Sequence, residues 1–320
     1  MSSPCFHVQL RLWPQAFAQA AWQEQLEPEL SDYLAFYGLA GVQEPYCKAV
    51  RVGWLELGAT RCWLQAYRPQ RPEAAQPRGT WVHLHGYYDH GGLYPHLQRW
   101  ALQQGLCYVA LDFPGHGLSS GARAAIKDFA DYQRCLLLVT KTLQEQGLPR
   151  PWLLSGFSTG GAIALEHQLS QACFDRVALL SPLIRPLGWH VARRWLPLVS
   201  LFVRHLPRKF RDNTHDHAFL DRVRHQDPLQ ARRLPLVWVR ALNRWIKRIE
   251  QAPAAGGRVL VFQGDQDTTV DWQYNLGALH RLLPEAEITQ IKGGCHQLLN
   301  ELPEYRDQIF RRLEKEWLDD

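Results

Sequence analysis

Residues 151–169 read PWLLSGFSTGGAIALEHQL, a short apolar run, a serine among glycines, and then an apolar segment of helical composition. Gly156, Ser158 and Gly160 stand in the G-x-S-x-G spacing of a sharp strand-to-helix turn that holds a serine hydroxyl out at its tip. Side chains at the flanking positions collide in so tight a turn, so glycine is the residue that fits. The spacing alone says little, because three such positions recur by chance about one time in ten in a chain this long. Its setting says more: PWLLS suits a buried strand and AIALEHQL suits the helix that the turn requires.

The text on either side repeats this alternation. TWVHLHG (80–86) and CYVALD (107–112) read as strands, separated by YPHLQRWALQQG (94–105), a helix closed by Gly105. DFADYQRCLLLVTKTLQEQG (128–147) is the next helix, and RVALLSP (176–182) is the strand after the serine helix. Helices alternating with short apolar strands predict an α/β protein with a mostly parallel sheet covered on both faces. Before them, AVRVGWLEL and RCWLQAYR, separated by Gly58, predict a hairpin, and Pro14 to Tyr37 predicts a helix ending at Gly38. RPQRPEAAQPRG (68–79) predicts a surface loop.

From Leu183 to about Ala255 the rhythm breaks into basic, helical text carrying Trp189, Trp195, Trp238 and Trp245, punctuated by Pro186, Pro197, Pro207, Pro228 and Pro235. It resumes at RVLVFQG, followed by a helix, the strand EITQI and a terminal helix after Asn300. The expected organisation is a core of residues 1–182 and 256–320, with a helical N-terminal extension over about 1–45, and a helical insertion over 183–255.

Bulk properties narrow the function. With 46% hydrophobic and 21% charged residues, the 320-residue chain has the composition of a folded globular protein. Seven cysteines, odd in number and without C-x-x-C spacing, suit reduced thiols in a cytoplasmic protein rather than a disulfide framework. The start, MSSPCFHVQLRLWPQ, lacks the pattern of a signal peptide, and no apolar run is long enough to span a bilayer. Residues 183–255 hold 15 Lys and Arg against 5 Asp and Glu, so this segment is basic within a chain of net charge +5. No nucleic-acid motif accompanies that charge, which excludes nucleic acid as the expected partner. Contact with the anionic inner face of a membrane, or with an acidic substrate, stays open.

A serine hydroxyl needs a base, and the base an acid to orient it, here in the chain order serine, acid, histidine. Asp265 and Asp267 lie in QGDQDTTVD, at the carboxyl end of the strand RVLVF, where open α/β sheets place their sites. Gly264 and Asp265 suit the turn itself, which favours Asp267 as the acid. His296 follows the next strand, in KGGCHQLLNELPE. An acyl-transfer site also needs two oxyanion donors. The backbone N–H of Thr159 at a helix start supplies one, and that of Tyr87 in HLHGYYDHGG the other, with Gly86 allowing close approach. No metal or cofactor is expected: His85 and His90 lack further ligands nearby and are read, like Asp112 and His116, as shaping loops. Cys295 is read as a buried apolar filler.

Taken together, HGYYDHGGLYPHL, LDFPGHGLSSG, GFSTGG, GDQDTTV and GGCHQLLNELPE resemble the successive motifs of the monoglyceride lipase and lysophospholipase branch of the α/β-hydrolases, over about three quarters of the chain. The resemblance implies an α/β-hydrolase fold, Ser158 as nucleophile, Asp267 as acid, His296 as base, Tyr87 and Thr159 as oxyanion donors, and a lid at 183–255. The implied activity is hydrolysis of small-molecule or lipid carboxylic esters. A thioesterase, an aminopeptidase, a haloperoxidase-like esterase or a hydrolase-fold binding protein are alternatives on the same fold.

Overall fold

The computed structural model describes residues 6–11, 13–71 and 76–318. β1 (Cys47–Leu57) and β2 (Thr60–Pro69) form the antiparallel hairpin, turning at Gly58 with φ +58°. β3 (Thr80–Leu84), β4 (Cys107–Leu111), β5 (Trp152–Phe157) and β6 (Arg176–Leu180) follow. Leaving aside for now two short strands inserted after β6, the sheet is completed by β9 (Val259–Gly264) and β10 (Glu287–Ile291). The eight strands lie in the order β1-β2-β4-β3-β5-β6-β9-β10, parallel from β4 onward. All side chains of β3, β4, β5 and β9 are buried, as expected of central parallel strands covered on both faces.

The covering helices are α1 (Phe6–Arg11), α2 (Pro28–Tyr37), α3 (Pro95–Gln103), α4 (Ala130–Glu145) and α5 (Thr159–Ser170), then α9 (Trp272–Leu282) and α10 (Pro303–Trp317). One face of the sheet packs Val82, Leu84, Val109 and Leu111 against Leu136, Val139, Ile163 and Leu165 of α4 and α5. The other packs Trp81, Tyr108, Leu153 and Phe262 against Leu97, Ala101, Ile309 and Leu313 of α3 and α10.

Between β6 and β9 the chain forms α6 (Trp189–Phe202), β7 (His205–Pro207), α7 (His217–Asp221), β8 (Arg233–Pro235) and α8 (Leu236–Ile249). β7 pairs with β8 in an antiparallel ribbon, so this segment is not purely helical; each strand ends at a proline, Pro207 or Pro235. The sequence expectation fails more plainly at residues 14–27. Apart from a single tight turn at Phe17–Gln19, this stretch runs beside edge strand β1, with Ala16 bridged to Trp54 and Gln23 to Val50. The free edge of β1 satisfies its backbone in place of helix bonds. The helix begins only at α2, with Pro28 in its first turn, and closes at Gly38 with φ +68°. Part of the proline-rich loop expected at 68–79 lies outside the described residues. No helix among the described residues is long and apolar enough to cross a membrane.

Candidate active site

The turn after β5 holds Ser158 at φ +51°, ψ −111°, a region that side chains seldom occupy. Its N–H is fixed to Leu180 O at 2.9 Å, and its hydroxyl does not cap the helix it begins. The glycines are required by contact: a Cβ on Gly156 would strike Gly160 O, and one on Gly160 would strike Leu84 O and His85 O. The serine hydroxyl is thereby left to an external partner.

That partner is His296. Its Nε2 lies 3.0 Å from Ser158 Oγ, and its Nδ1 lies 2.7 Å from Asp267 Oδ2. Three side chains from the loops after β5, β9 and β10 thus form one hydrogen-bonded line. Burial pushes the Asp267 carboxyl up, but His296 and donors from the Thr269 N–H and the Gln263 amide outweigh it and leave it lowered. Asp265 instead accepts from Gly293 N–H at 2.7 Å and braces the histidine loop. His296 is held by Ser181 Oγ donating to its carbonyl at 2.8 Å and by the Phe157 ring, 4.9 Å between centroids.

Among the described residues, no acceptor within the chain is paired with the backbone N–H of Tyr87 or Thr159. Gly86 lies against the Phe157 ring, where a side chain would not fit. His85 accepts from Phe113 N–H at 2.9 Å, and Asp112 accepts from the N–H groups of Gly91 and Leu118, at 2.7 and 2.8 Å. These residues hold the loops in shape.

Sequence reading missed three supports. The Tyr87 ring stacks on Trp238 of α8, with centroids 3.7 Å apart and planes 17° from parallel, so the inserted segment braces the Tyr87 loop directly. Asp89 accepts from Tyr94 Oη at 2.8 Å and from the Gln297 amide at 3.0 Å, tying that loop to the residue after His296. His90 pairs with Asp227 of the inserted segment at 3.0 Å, both buried, while Tyr37 Oη donates to the same carboxylate at 2.7 Å. Burial pulls the His90 imidazole down, but Asp227 outweighs it and leaves it raised; Asp227 itself, despite burial, is lowered to about 2, chiefly by His90. No local pattern signals these contacts, because all but the Asp89–Tyr94 bond join distant parts of the chain.

The sheet order, the strained serine turn and the helices on both faces make this an α/β-hydrolase. Residues 75–303 match the profile of the family described as serine aminopeptidase, S33, and the chain belongs to that family. It is 29% identical to the monoglyceride lipase of Homo sapiens over 248 residues, 72% of this chain and 78% of the relative. A shorter stretch of 99 residues, 29% of this chain and 34% of the relative, is 39% identical to 2-succinyl-6-hydroxy-2,4-cyclohexadiene-1-carboxylate synthase of Pectobacterium atrosepticum. The crystal structure of a soluble variant of monoglyceride lipase from Saccharomyces cerevisiae, in complex with a substrate analog, superposes with a TM-score of 0.71 at 16% identity. It covers 88% of this chain and 97% of that one.

Proposed function

We propose that this chain is a serine hydrolase of carboxylic esters, acting on monoacylglycerol- or lysophospholipid-type lipids through an acyl-enzyme. The observation that carries the reading is the unbroken line Ser158 Oγ, His296 Nε2 and Nδ1, Asp267 Oδ2, at 3.0 and 2.7 Å. Ser158 attacks the ester carbonyl while His296 takes its proton. Asp267, kept ionised, stabilises the imidazolium and holds the tautomer. The unpaired N–H groups of Tyr87 and Thr159 receive the oxyanion, and His296 returns the proton to the departing alcohol. Water activated by the same imidazole then cleaves the acyl-enzyme.

Residues 183–255 act as a cap on a core of 1–182 and 256–320. α6 exposes Val191, Trp195, Leu198, Leu201 and Phe202 at helical spacing, flanked by Arg193, Arg194 and Arg204, the pattern of a face that rests on an anionic lipid surface. The human relative's name and the charge of this segment both favour a lipid ester over a small soluble one.

The test is a graded panel of p-nitrophenyl esters and monoacylglycerols beside Ser158→Ala. Turnover should fall by about 10⁴-fold or more in the variant with unfolding unchanged, and a fluorophosphonate should label Ser158 alone. Lack of an adduct on Ser158 would favour a binding protein of the same fold.

A further inference from the structure

Cys295, expected from sequence to be buried filler, is half-exposed and faces a residue of the inserted segment. Its Sγ lies 3.9 Å from His215 Nδ1 and 4.0 Å from Nε2. His215 is itself set by Glu301, a fully buried carboxylate that accepts from its backbone N–H at 2.8 Å and bonds its Nδ1 at 3.0 Å. Glu301 also accepts from Cys295 N–H and Thr214 Oγ1, both at 3.0 Å. One carboxylate therefore holds together the two chain segments that carry the thiol and the imidazole. The ring is further fixed by stacking on Tyr305, 5.0 Å between centroids and 15° between planes.

We propose that His215, Cys295 and Glu301 form a binding site for one divalent transition-metal ion of the zinc class, and that its occupancy shuts down the adjacent Ser158 centre. The ligand atoms of the three residues lie within 4.8 Å of one another. Ligands bound tetrahedrally to zinc at about 2.0 Å for nitrogen and 2.3 Å for sulfur sit about 3.5 Å apart. The thiol and imidazole thus need to close by only about half an ångström, through a shift of the loop that carries Cys295. Glu301 Oε1, already 3.0 Å from His215 Nδ1, stands on the same side of the ring as the thiol and supplies the third ligand atom. Thiolate and imidazole select zinc-class ions over magnesium or calcium, which need several oxygen ligands. The His215 side chain is 41% exposed, so the ion has an open approach and water completes its coordination. On binding, the Cys295 S–H bond breaks, its proton leaves to solvent and an S–metal bond forms.

The link to the centre is covalent adjacency. Cys295 directly precedes His296, and drawing its side chain toward His215 pulls His296 from its 3.0 Å contact with Ser158. This inhibitory half rests on the hydrolase reading; the binding half does not.

The full chain, stripped of metal, is titrated with Zn²⁺ by calorimetry and with Co²⁺ by absorption, beside Cys295→Ser and His215→Gln. One ion per chain, a thiolate-to-Co²⁺ charge-transfer band absent from Cys295→Ser, and affinity at least about 10-fold weaker in each variant support the site. Ester turnover, scaled to each protein's metal-free rate, should need at least about 10-fold more Zn²⁺ for half-inhibition in both variants. No thiolate band, or equal affinity in all three proteins, overturns the site. Binding with the band but undiminished turnover overturns the inhibitory coupling. Absence of any ester turnover would refute the hydrolase reading while the titrations still decide the site. His215→Gln, at a part-exposed position, keeps the test usable if Cys295→Ser does not fold.

Discussion

At the scale of single residues, the centre depends on glycines as much as on the groups that would do chemistry. Gly160 passes so close to Leu84 O and His85 O that no side chain fits, and both carbonyls belong to the strand end leading into the Tyr87 loop. Gly160→Ala must push the serine turn away from that loop, which separates Ser158 from the Tyr87 N–H. We expect a loss of about 1–3 kcal/mol of stability from overpacking, read by urea denaturation, with turnover falling further than the unfolded fraction explains. Turnover that merely tracks the folded fraction would mean the two loops move together. The three residues of the hydrogen-bonded line were legible from sequence because each stands where a strand pattern ends: Ser158 after PWLLSGF, Asp267 after RVLVFQG, His296 after EITQI. The same logic misses Glu301, which lies just past the histidine loop with no pattern of its own and still binds His215 and Cys295.

At the scale of elements, short apolar strands between amphipathic helices are readable because burial on both faces forces their composition. Residues 14–27 are not, since their shape depends on the edge of β1, which their own spacing does not report. Equally hidden is the joint between the inserted segment and the core. His90 of the Tyr87 loop meets Asp227 across 137 residues of chain, and Asp227 also takes hydrogen bonds from Tyr37, Gln230 and the Leu229 N–H. Asp227→Ala would leave this buried cluster without its acceptor, and unfolding experiments should show a loss of about 3–5 kcal/mol. The pH dependence follows from the two shifts. The raised His90 contributes fully below about pH 6.5 and loses its contribution as pH rises through its folded value. The lowered Asp227 contributes above about pH 4 and loses its contribution as pH falls toward about 2. The joint is therefore strongest between those limits. In Asp227→Asn the decline of stability above pH 6.5 should flatten; an unchanged slope there would assign it to another group.

At the scale of the whole molecule, charge and apolar exposure fall on the same segment. Residues 183–255 carry an excess of 10 positive charges in a chain of net +5, leaving the remainder at −5, so the molecule is electrically two-sided. On that side, Trp195 is 59%, Leu201 77% and Phe202 80% exposed, while the two tryptophans of α8, Trp238 and Trp245, are buried against Tyr132 and Glu166. The two features act over different ranges. Each Lys or Arg near an anionic bilayer contributes about 1 kcal/mol, but only within a Debye length of about 8 Å at physiological salt. The apolar side chains act on contact and are indifferent to salt. Raising salt from about 0.05 to 0.5 M should therefore weaken binding to phosphatidylserine vesicles without abolishing it, and replacing Trp195, Leu198, Leu201 and Phe202 by serine should remove what remains. Because those side chains are exposed, the fourfold variant should unfold within about 0.5 kcal/mol of the parent per site. Co-sedimentation with anionic and zwitterionic vesicles decides the matter. Equal binding to both, unmoved by salt or by the variant, would show that neither the charge nor the apolar face of α6 meets a membrane.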